Sequence, residues 1–354
     1  MSRALIAMSG GVDSAVAALL TKEKGFDCVG CTMRLHDNAD EETAREDSCC
    51  SLRDVEDARS VAVRLGIPYY VFNFKDDFEE KIIRKFVDSY FQGRTPNPCI
   101  DCNRYMKFEK LYDRAVQLGC DYVVTGHYAR IEEENGRFLL KRAVDLSKDQ
   151  SYVLYSMTQA QLAHTMFPLG GLQKTETRQI AEAHGFVNAH KPDSQDICFV
   201  PNGDYAAVIE QFSGRISPPG DFVDPQGRVL GRHKGIIHYT IGQRRGLGVP
   251  GPQSYYVTAI DPASNTVTLS FGEGLFTDTV LIRDINLISV PEIAAPMRVQ
   301  AKIRYRHPPQ DATVEQTDEN TLLLRFDTPQ RAVTRGQAAV LYQGDVVVGG
   351  GTIS

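Results

Sequence analysis

The first fourteen residues constrain this chain more than any other stretch. Ala4-Leu5-Ile6-Ala7-Met8 is an apolar run of strand length, and it stops at Ser9-Gly10-Gly11. A helical spacing (Val12, Val16, Leu19, Leu20) starts at once. A strand that turns tightly into a helix aims several backbone N–H groups and the positive end of a dipole at one point, which suits phosphate. Gly10 and Gly11 let the backbone approach an anion closely and adopt positive φ, while Ser9 and Ser14 add hydroxyls. No lysine follows the glycines, so the loop is not of the Walker type.

The next two hundred residues place that loop in an α/β frame. Strand-like runs at Asp27–Met33, Tyr69–Phe74 and Asp121–His127 alternate with helical stretches around 52–65, 77–91 and 104–118. Such alternation predicts a doubly wound parallel sheet, whose ligands bind beyond the carboxyl ends of the strands. Ser9, Met33 and Gly126 all fall at such ends. Tyr128–Ala143 reads as a hairpin turning at Asn135-Gly136, and helices are expected at 159–167, 176–184 and 204–212. After Gly214 the character changes to short β-like runs broken by Pro and Gly. The expected organisation is an α/β domain over 1–213, a small β-rich central domain over 214–277 and a C-terminal β-barrel-like domain over 278–354.

Composition sets the outer limits. The 354 residues are 42% hydrophobic and 24% charged, and no apolar run is long enough to span a bilayer. With no signal-peptide pattern, a cytoplasmic location is expected, where eight cysteines point to catalysis or metal rather than structural disulfides. The net charge of −6 is unevenly spread: residues 1–210 hold 25 Lys/Arg against 32 Asp/Glu, residues 211–354 hold 14 against 13. Gly231–Gly248 carries four basic residues and no acid, and Lys302-Ile303-Arg304-Tyr305-Arg306 is basic around an aromatic. Local patches of this kind decide binding to a polyanion more than the total does.

Cysteines supply the second chemical signal. Cys99 and Cys102 lie in Thr95-Pro96-Asn97-Pro98-Cys99-Ile100-Asp101-Cys102-Asn103. This reads as an ordered loop, with Asn103 capping the next helix and Cys102 beside its positive end, a position that favours a thiolate nucleophile. A redox couple, metal ligands and packing residues are the competing readings. Structural zinc is disfavoured, since there is no second CxxC. Cys198, before Phe199-Val200, reads on its own as a small buried hydrophobe, as do Cys28, Cys31 and Cys120. Cys49 and Cys50 read as packing residues, and Asp37–Asp47 as a solvated acidic loop.

Ser9-Gly10-Gly11-Val12-Asp13-Ser14 resembles the pyrophosphate loop of the ATP pyrophosphatases, which split ATP between its α and β phosphates. With Thr95-Pro96-Asn97-Pro98, Cys102-Asn103, Thr125-Gly126-His127-Tyr128, Lys148-Asp149-Gln150-Ser151-Tyr152, Ser194-Gln195-Asp196-Ile197-Cys198, His238–Gly246 and Lys302–Tyr305, the chain resembles the tRNA-specific 2-thiouridylases over nearly its whole length. The resemblance implies ATP, with Mg, bound by Ala7, Met8, Ser9, Gly10, Gly11, Val12, Asp13, Ser14, Met33 and Gly126. It implies that ATP adenylates the 2-oxygen of the wobble uridine. Cys198 would carry sulfur as a persulfide from a cysteine desulfurase or a sulfur-relay protein. Cys102 would attack that persulfide, releasing sulfide or leaving a Cys102–Cys198 disulfide. Asn97, Pro98 and Cys99 would line the base pocket. His127, Lys148, Asp149, Gln150, Arg304, Tyr305 and Gln337 would touch the tRNA anticodon stem-loop.

One departure stands out. Many members carry an acid/base aspartate where this chain has Cys99, so Asp101 or Cys99 would have to substitute. Alternatively, Cys99, Cys102 and Cys198 could ligate three irons of a [4Fe–4S] cluster. Two rival classes remain: an AMP-forming amidotransferase or ligase related to GMP- or NAD-synthetases, and a non-catalytic tRNA-binding module.

Overall fold

The computed structural model describes residues 1–36, 52–193, 197–200 and 203–354; Cys49, Cys50, the acidic run and Ser194-Gln195-Asp196 lie outside them. The chain forms two compact units. The first comprises residues 1–82, 99–201 and 345–347; the second comprises 83–98, 202–344 and 348–354.

The first unit is built on a parallel sheet of β1 (Arg3–Ala7), β2 (Asp27–Arg34), β3 (Tyr69–Asn73), β4 (Tyr122–Val124) and β7 (Thr165–Met166), in the order β3-β2-β1-β4-β7. Ala4, Leu5 and Ile6 are fully buried, as expected for a strand covered on both faces. Since β2 and β4 flank β1 on opposite sides, the chain reverses its winding at β1. This is the crevice where α/β sheets bind ligands. Helices α1 (Val12–Glu23), α2 (Leu52–Leu65) and α8 (Lys174–Ala183) pack their apolar sides into one core with Met8, Val124 and Tyr128.

Two sequence expectations shift here. The helix expected to reach residue 167 ends as α7 (Gln159–Ala163), and Thr165–Met166 pairs with Val123–Val124 instead. A two-residue strand leaves no periodicity to read; its partner supplies it. The helix expected from Arg104 begins at Pro98: α5 (Pro98–Asp101) runs into a π-helical stretch (Cys102–Lys110) and then α6 (Leu111–Gln117). Pro98 takes the first helical position, where its missing N–H costs nothing and its φ is already helical. The hairpin β5 (Ala129–Glu134) and β6 (Arg137–Arg142) forms as expected, with Asn135 and Gly136 both at positive φ.

After β3, α3 (Lys75–Phe78) and a π turn lead to α4 (Arg84–Phe91), which belongs to the second unit. There α4 packs on α9 (Tyr205–Ser213) through stacked Tyr90 and Tyr205. A four-stranded sheet comes next: β8 (Gly220–Val223), β9 (Val229–His233), β10 (Tyr256–Asp261) and β11 (Thr266–Ser270), in the order β10-β11-β8-β9. The last six strands are β12 (Phe276–Leu287), β13 (Met297–Lys302), β14 (Gln310–Asp318), β15 (Thr321–Arg331), β16 (Ala338–Gln343) and β17 (Val346–Ile353). They run β12-β15-β14-β13-β16-β17, and a β12–β17 pairing closes the barrel around Ile282, Val314, Leu324 and Leu341. Closure pairs the two outer strands of these six with each other. The α/β domain, β-rich middle and β-barrel expected from the sequence are all present.

Candidate active site

The loop after β1 is held from several directions. Gly10 takes φ +78, and a Cβ there would lie 2.4 Å from the Asp54 carbonyl oxygen, so both conformation and space demand glycine. Ser14, 5% exposed, accepts from the Ser9 N–H at 3.1 Å and donates to the Gly11 carbonyl at 2.9 Å, closing the loop on itself. Asn188 donates to the Gly10 carbonyl at 2.9 Å. On the opposite strand end, a Cβ on Gly126 would sit 2.8 Å from Asp13 C and Ser14 N. The loop after β4 therefore lies directly on the start of α1. Among the described residues, the N–H groups of Gly10, Gly11, Val12 and Asp13 donate to no protein acceptor. The first N–H groups of a helix have no intrahelical partner, which leaves these donors for an anion. Ala7 and Met8 lead into this loop, and Met33, half-buried, stands at the end of β2.

Asp13, in the first turn of α1, is the hub of a charge network the sequence did not disclose. Lys174, from the first turn of α8, brings Nζ to 2.7 and 2.8 Å from the Asp13 oxygens and 2.8 Å from Asp193 Oδ1. The Tyr128 hydroxyl lies 2.9 Å from both Asp13 and Thr177; burial, then the Asp13 charge, push its phenol above the ordinary value. Asp193 also meets Lys148 Nζ at 2.8 Å and Arg178 at 3.0 Å. Burial alone would raise the Asp193 carboxyl. Hydrogen bonds from Lys148 and Lys174, and their charges, outweigh it and hold the carboxyl at about 2. Lys174, Tyr128 and Asn188 carry no local signal of this role; each is brought to the loop by tertiary packing.

The cysteines differ from expectation in placement. Since the helix opens at Pro98, the exposed Cys99 occupies its first turn and Cys102, half-buried, lies inside it. Asn103 is not a cap: it is 2% exposed, and its Nδ2 donates to the Val153 carbonyl at 3.0 Å. Asp101, two residues from Cys99, turns about 200° around the helix at 3.6 residues per turn and is buried. It does not share Cys99's exposed face. Cys198 is half-buried between two anchors: Asp193 before it, and Phe199, edge-on to Phe78 at 5.7 Å, after it. Burial is carried by Phe199 and Val200 rather than by the thiol. By contrast, Cys28, Cys31 and Cys120 are core, and burial pushes the Cys28 thiol up to about 11. Among the described residues no three His, Cys, Asp or Glu side chains are grouped so as to hold a metal ion. Cys99, Cys102 and Cys198 are not among such a group.

The expected tRNA-contacting residues fall into two sets. In the first unit, His127 is 7% exposed and enclosed by Phe108 and Phe167. Burial, then the Lys107 charge, push its imidazole well below the ordinary value. A lysine ammonium can only donate, so Nε2 accepts from Lys107 (3.3 Å) and Nδ1–H points at Thr125 Oγ1 (2.6 Å). Asp149 is buried, taking the Ala143 N–H at 3.1 Å and the Ser151 hydroxyl at 2.8 Å; Gln150 accepts from the Tyr128 N–H at 3.0 Å. In the second unit, Gln337 donates to the Thr95 carbonyl at 2.7 Å, two residues before Asn97 and three before Pro98. Arg304 donates to the Ala332 carbonyl and to Thr334 Oγ1, in the same turn that leads to Gln337. Lys302 lies over the ring of the exposed Tyr305 at 5.8 Å. Arg244, exposed, lines a cleft of about 670 Å³ with Gly246–Tyr255.

A glycine-rich loop with unspent N–H groups, at the winding reversal of a parallel sheet, defines a nucleotide-binding protein of the pyrophosphate-loop class. Family profiles match the chain in three blocks. These are a tRNA methyl transferase HUP domain over residues 2–202, a tRNA methyl transferase PRC-barrel domain over 208–270 and an aminomethyltransferase β-barrel domain over 277–353. It is 52% identical to tRNA-specific 2-thiouridylase MnmA 1 of Thermoanaerobacter pseudethanolicus over 99% of this chain and 98% of that one. It is 50% identical to tRNA-specific 2-thiouridylase MnmA of Clostridioides difficile, over 99% and 98% of the two chains. The same identity holds for MnmA of Lachnoclostridium phytofermentans over 100% and 99%. The chain belongs to the tRNA-specific 2-thiouridylase family. No helix among the described residues is long and apolar enough to cross a membrane.

Proposed function

We propose that this protein is an ATP-dependent tRNA-uridine 2-sulfurtransferase acting on the wobble uridine of the anticodon. Full-length identity of about half to named 2-thiouridylases carries the reading. The phosphate loop supports it independently. A uracil 2-oxygen is a poor leaving group, and adenylation cures that. The oxygen attacks the α-phosphorus of ATP, and the α–β bridging bond breaks with its electrons going to pyrophosphate. The N–H groups of Gly10–Asp13, which donate to no protein acceptor among the described residues, are donors available to that charge. A loop built for pyrophosphate has no use in methyl transfer from a sulfonium donor, so the methyl-transferase wording of the HUP profile does not describe the chemistry of this site.

Sulfur then has to arrive as a nucleophile at C2, expelling AMP with the oxygen. In this reading Cys198 bears a persulfide delivered by a desulfurase or relay protein. Cys102 attacks the sulfur of Cys198 that bears the terminal sulfur, so that sulfide leaves and a Cys102–Cys198 disulfide forms. Two external thiols, or a dithiol, must reduce it through a mixed disulfide before the next cycle. The tRNA meets the protein through an anticodon loop whose wobble base is splayed out, the usual state in which single-stranded RNA is read. Cys99 stands where many members carry an aspartate, and Asp101 is buried on another face of the same helix. A cytoplasmic site of action fits a tRNA substrate.

The decisive experiment is mass spectrometry of nucleosides from tRNA treated with the purified protein, ATP and a persulfide donor. Wobble 2-thiouridine must appear, dependent on ATP; unchanged uridine with every component present overturns the reading.

A further inference from the structure

An aspartate inside a phosphate loop is an oddity, because its charge opposes a polyphosphate. Asp13 is made tolerable by Lys174, whose side chain is 10% exposed. An ammonium has three protons and no acceptor. Here they meet both Asp13 oxygens and Asp193 Oδ1, at 2.7, 2.8 and 2.8 Å.

We propose that Lys174 is the phosphate-binding cation of the loop, trading Asp13 for phosphate oxygens when ATP binds. It would thus stand in for the lysine that does not follow Gly10-Gly11. The inference rests on ATP being the substrate of this site. Three observations support it. The lysine's backbone is fixed, since its N–H donates to Asp145 Oδ2 at 3.0 Å and α8 opens with a Gln173–Glu176 capping box; only the side chain has to move. When Lys174 turns away, Asp193 keeps Lys148 and Arg178, and Asp13, whose side chain is about a third exposed, keeps the Tyr128 hydroxyl. Lys174 is also the cation that touches the loop among the described residues, and a cation at the breaking α–β bond stabilises the charge developing on pyrophosphate. Because Asp193 lies five residues before Cys198, filling the phosphate site also removes one of three ties on the cysteine segment.

Equilibrium binding of Mg-ATP to the full-length chain separates this from a purely structural ion pair. Lys174→Met should weaken ATP at least tenfold, and Lys174→Arg should recover most of the loss. Asp193→Asn, which frees Lys174 from one carboxylate, should bind ATP as tightly as wild type or more tightly. ATP binding unchanged in Lys174→Met, or weakened alike in Lys174→Met and Asp193→Asn, overturns the proposal. If Lys174→Met does not fold, Asp193→Asn decides alone: weakened binding overturns it, unchanged or tighter binding supports it. A wild-type chain that binds no ATP overturns the ATP reading itself, and this one with it.

Discussion

The phosphate loop and the cysteines proposed to handle sulfur belong to the same compact unit, yet they are constructed on opposite plans. Every residue from Ser9 to Ser14 is fixed by a strand, a helix start, a glycine that nothing can replace, or the Asp13 network. The cysteines are held through their neighbours: Cys102 by a helix whose Asn103 is pinned to Val153, Cys198 by Asp193 and Phe199 on either side. Electrostatic stabilisation of a leaving group needs donors that do not reorganise. A thiol that must collect sulfur, deliver it and meet a second thiol needs supported surroundings and an open face.

The sharpest break is to remove the thiols. Cys198→Ser or Cys102→Ser should lower tRNA thiolation by about 10³-fold or more, since an alcohol neither carries a persulfide nor attacks one to release sulfide. Pyrophosphate release dependent on tRNA and ATP should survive, because the loop shares no atom with either cysteine. Loss of pyrophosphate release in both variants would show that the two plans are one.

The reverse variant is Gly10→Ala. Its Cβ would meet the Asp54 backbone in a conformation that L-residues avoid. A cost of roughly 2–4 kcal/mol is expected, seen in urea unfolding, with ATP binding lost before the fold is. Persulfide loading of Cys198, read by mass spectrometry, should be retained. An alanine variant with wild-type ATP affinity would mean that the tight approach to Asp54 does not shape the site.

These two regions also differ in how much of them is legible in the sequence. The strand–loop–helix at Ser9 and the Asn135-Gly136 hairpin are local: a few consecutive residues dictate the backbone, and the structure follows them. The helix of Cys102 starts earlier than its sequence suggests. Two prolines in four residues read as a loop, whereas Pro98 sits at a helix's first position, where proline is favoured. Lys174 lies 161 residues from Asp13. No local pattern joins them; only the packing of α8 beside α1 does. Likewise Gln337 and Arg304 are legible as polar residues, but not as the tie of one turn to Thr95 and the clamp on its start at Ala332 and Thr334.

Asp193 spans both plans, and acid probes it. Its folded carboxyl, at about 2, lies below the ordinary 3.8. A depressed acid contributes its stability above the unfolded value and loses it as pH falls toward the folded one. Between about pH 5 and pH 2 the first unit should therefore lose roughly 2 kcal/mol from this group. Asp193→Asn should flatten that part of the profile. An unchanged acid slope in the variant would place the sensitivity elsewhere.

The smallest effect serves as the control, because it lies in the second unit and touches neither plan. Gln337→Ala removes the hydrogen bond to the Thr95 carbonyl. One neutral side-chain bond is worth about 1 kcal/mol. The loss should appear in the thermal unfolding of the second unit, while Mg-ATP affinity and persulfide loading stay at wild-type levels. Thiolation should fall through a raised KM for tRNA, since the freed carbonyl lies two residues before Asn97, which with Pro98 and Cys99 is expected to line the base pocket. A fall in kcat with KM unchanged would instead tie Gln337 to the chemical steps and remove it as a control.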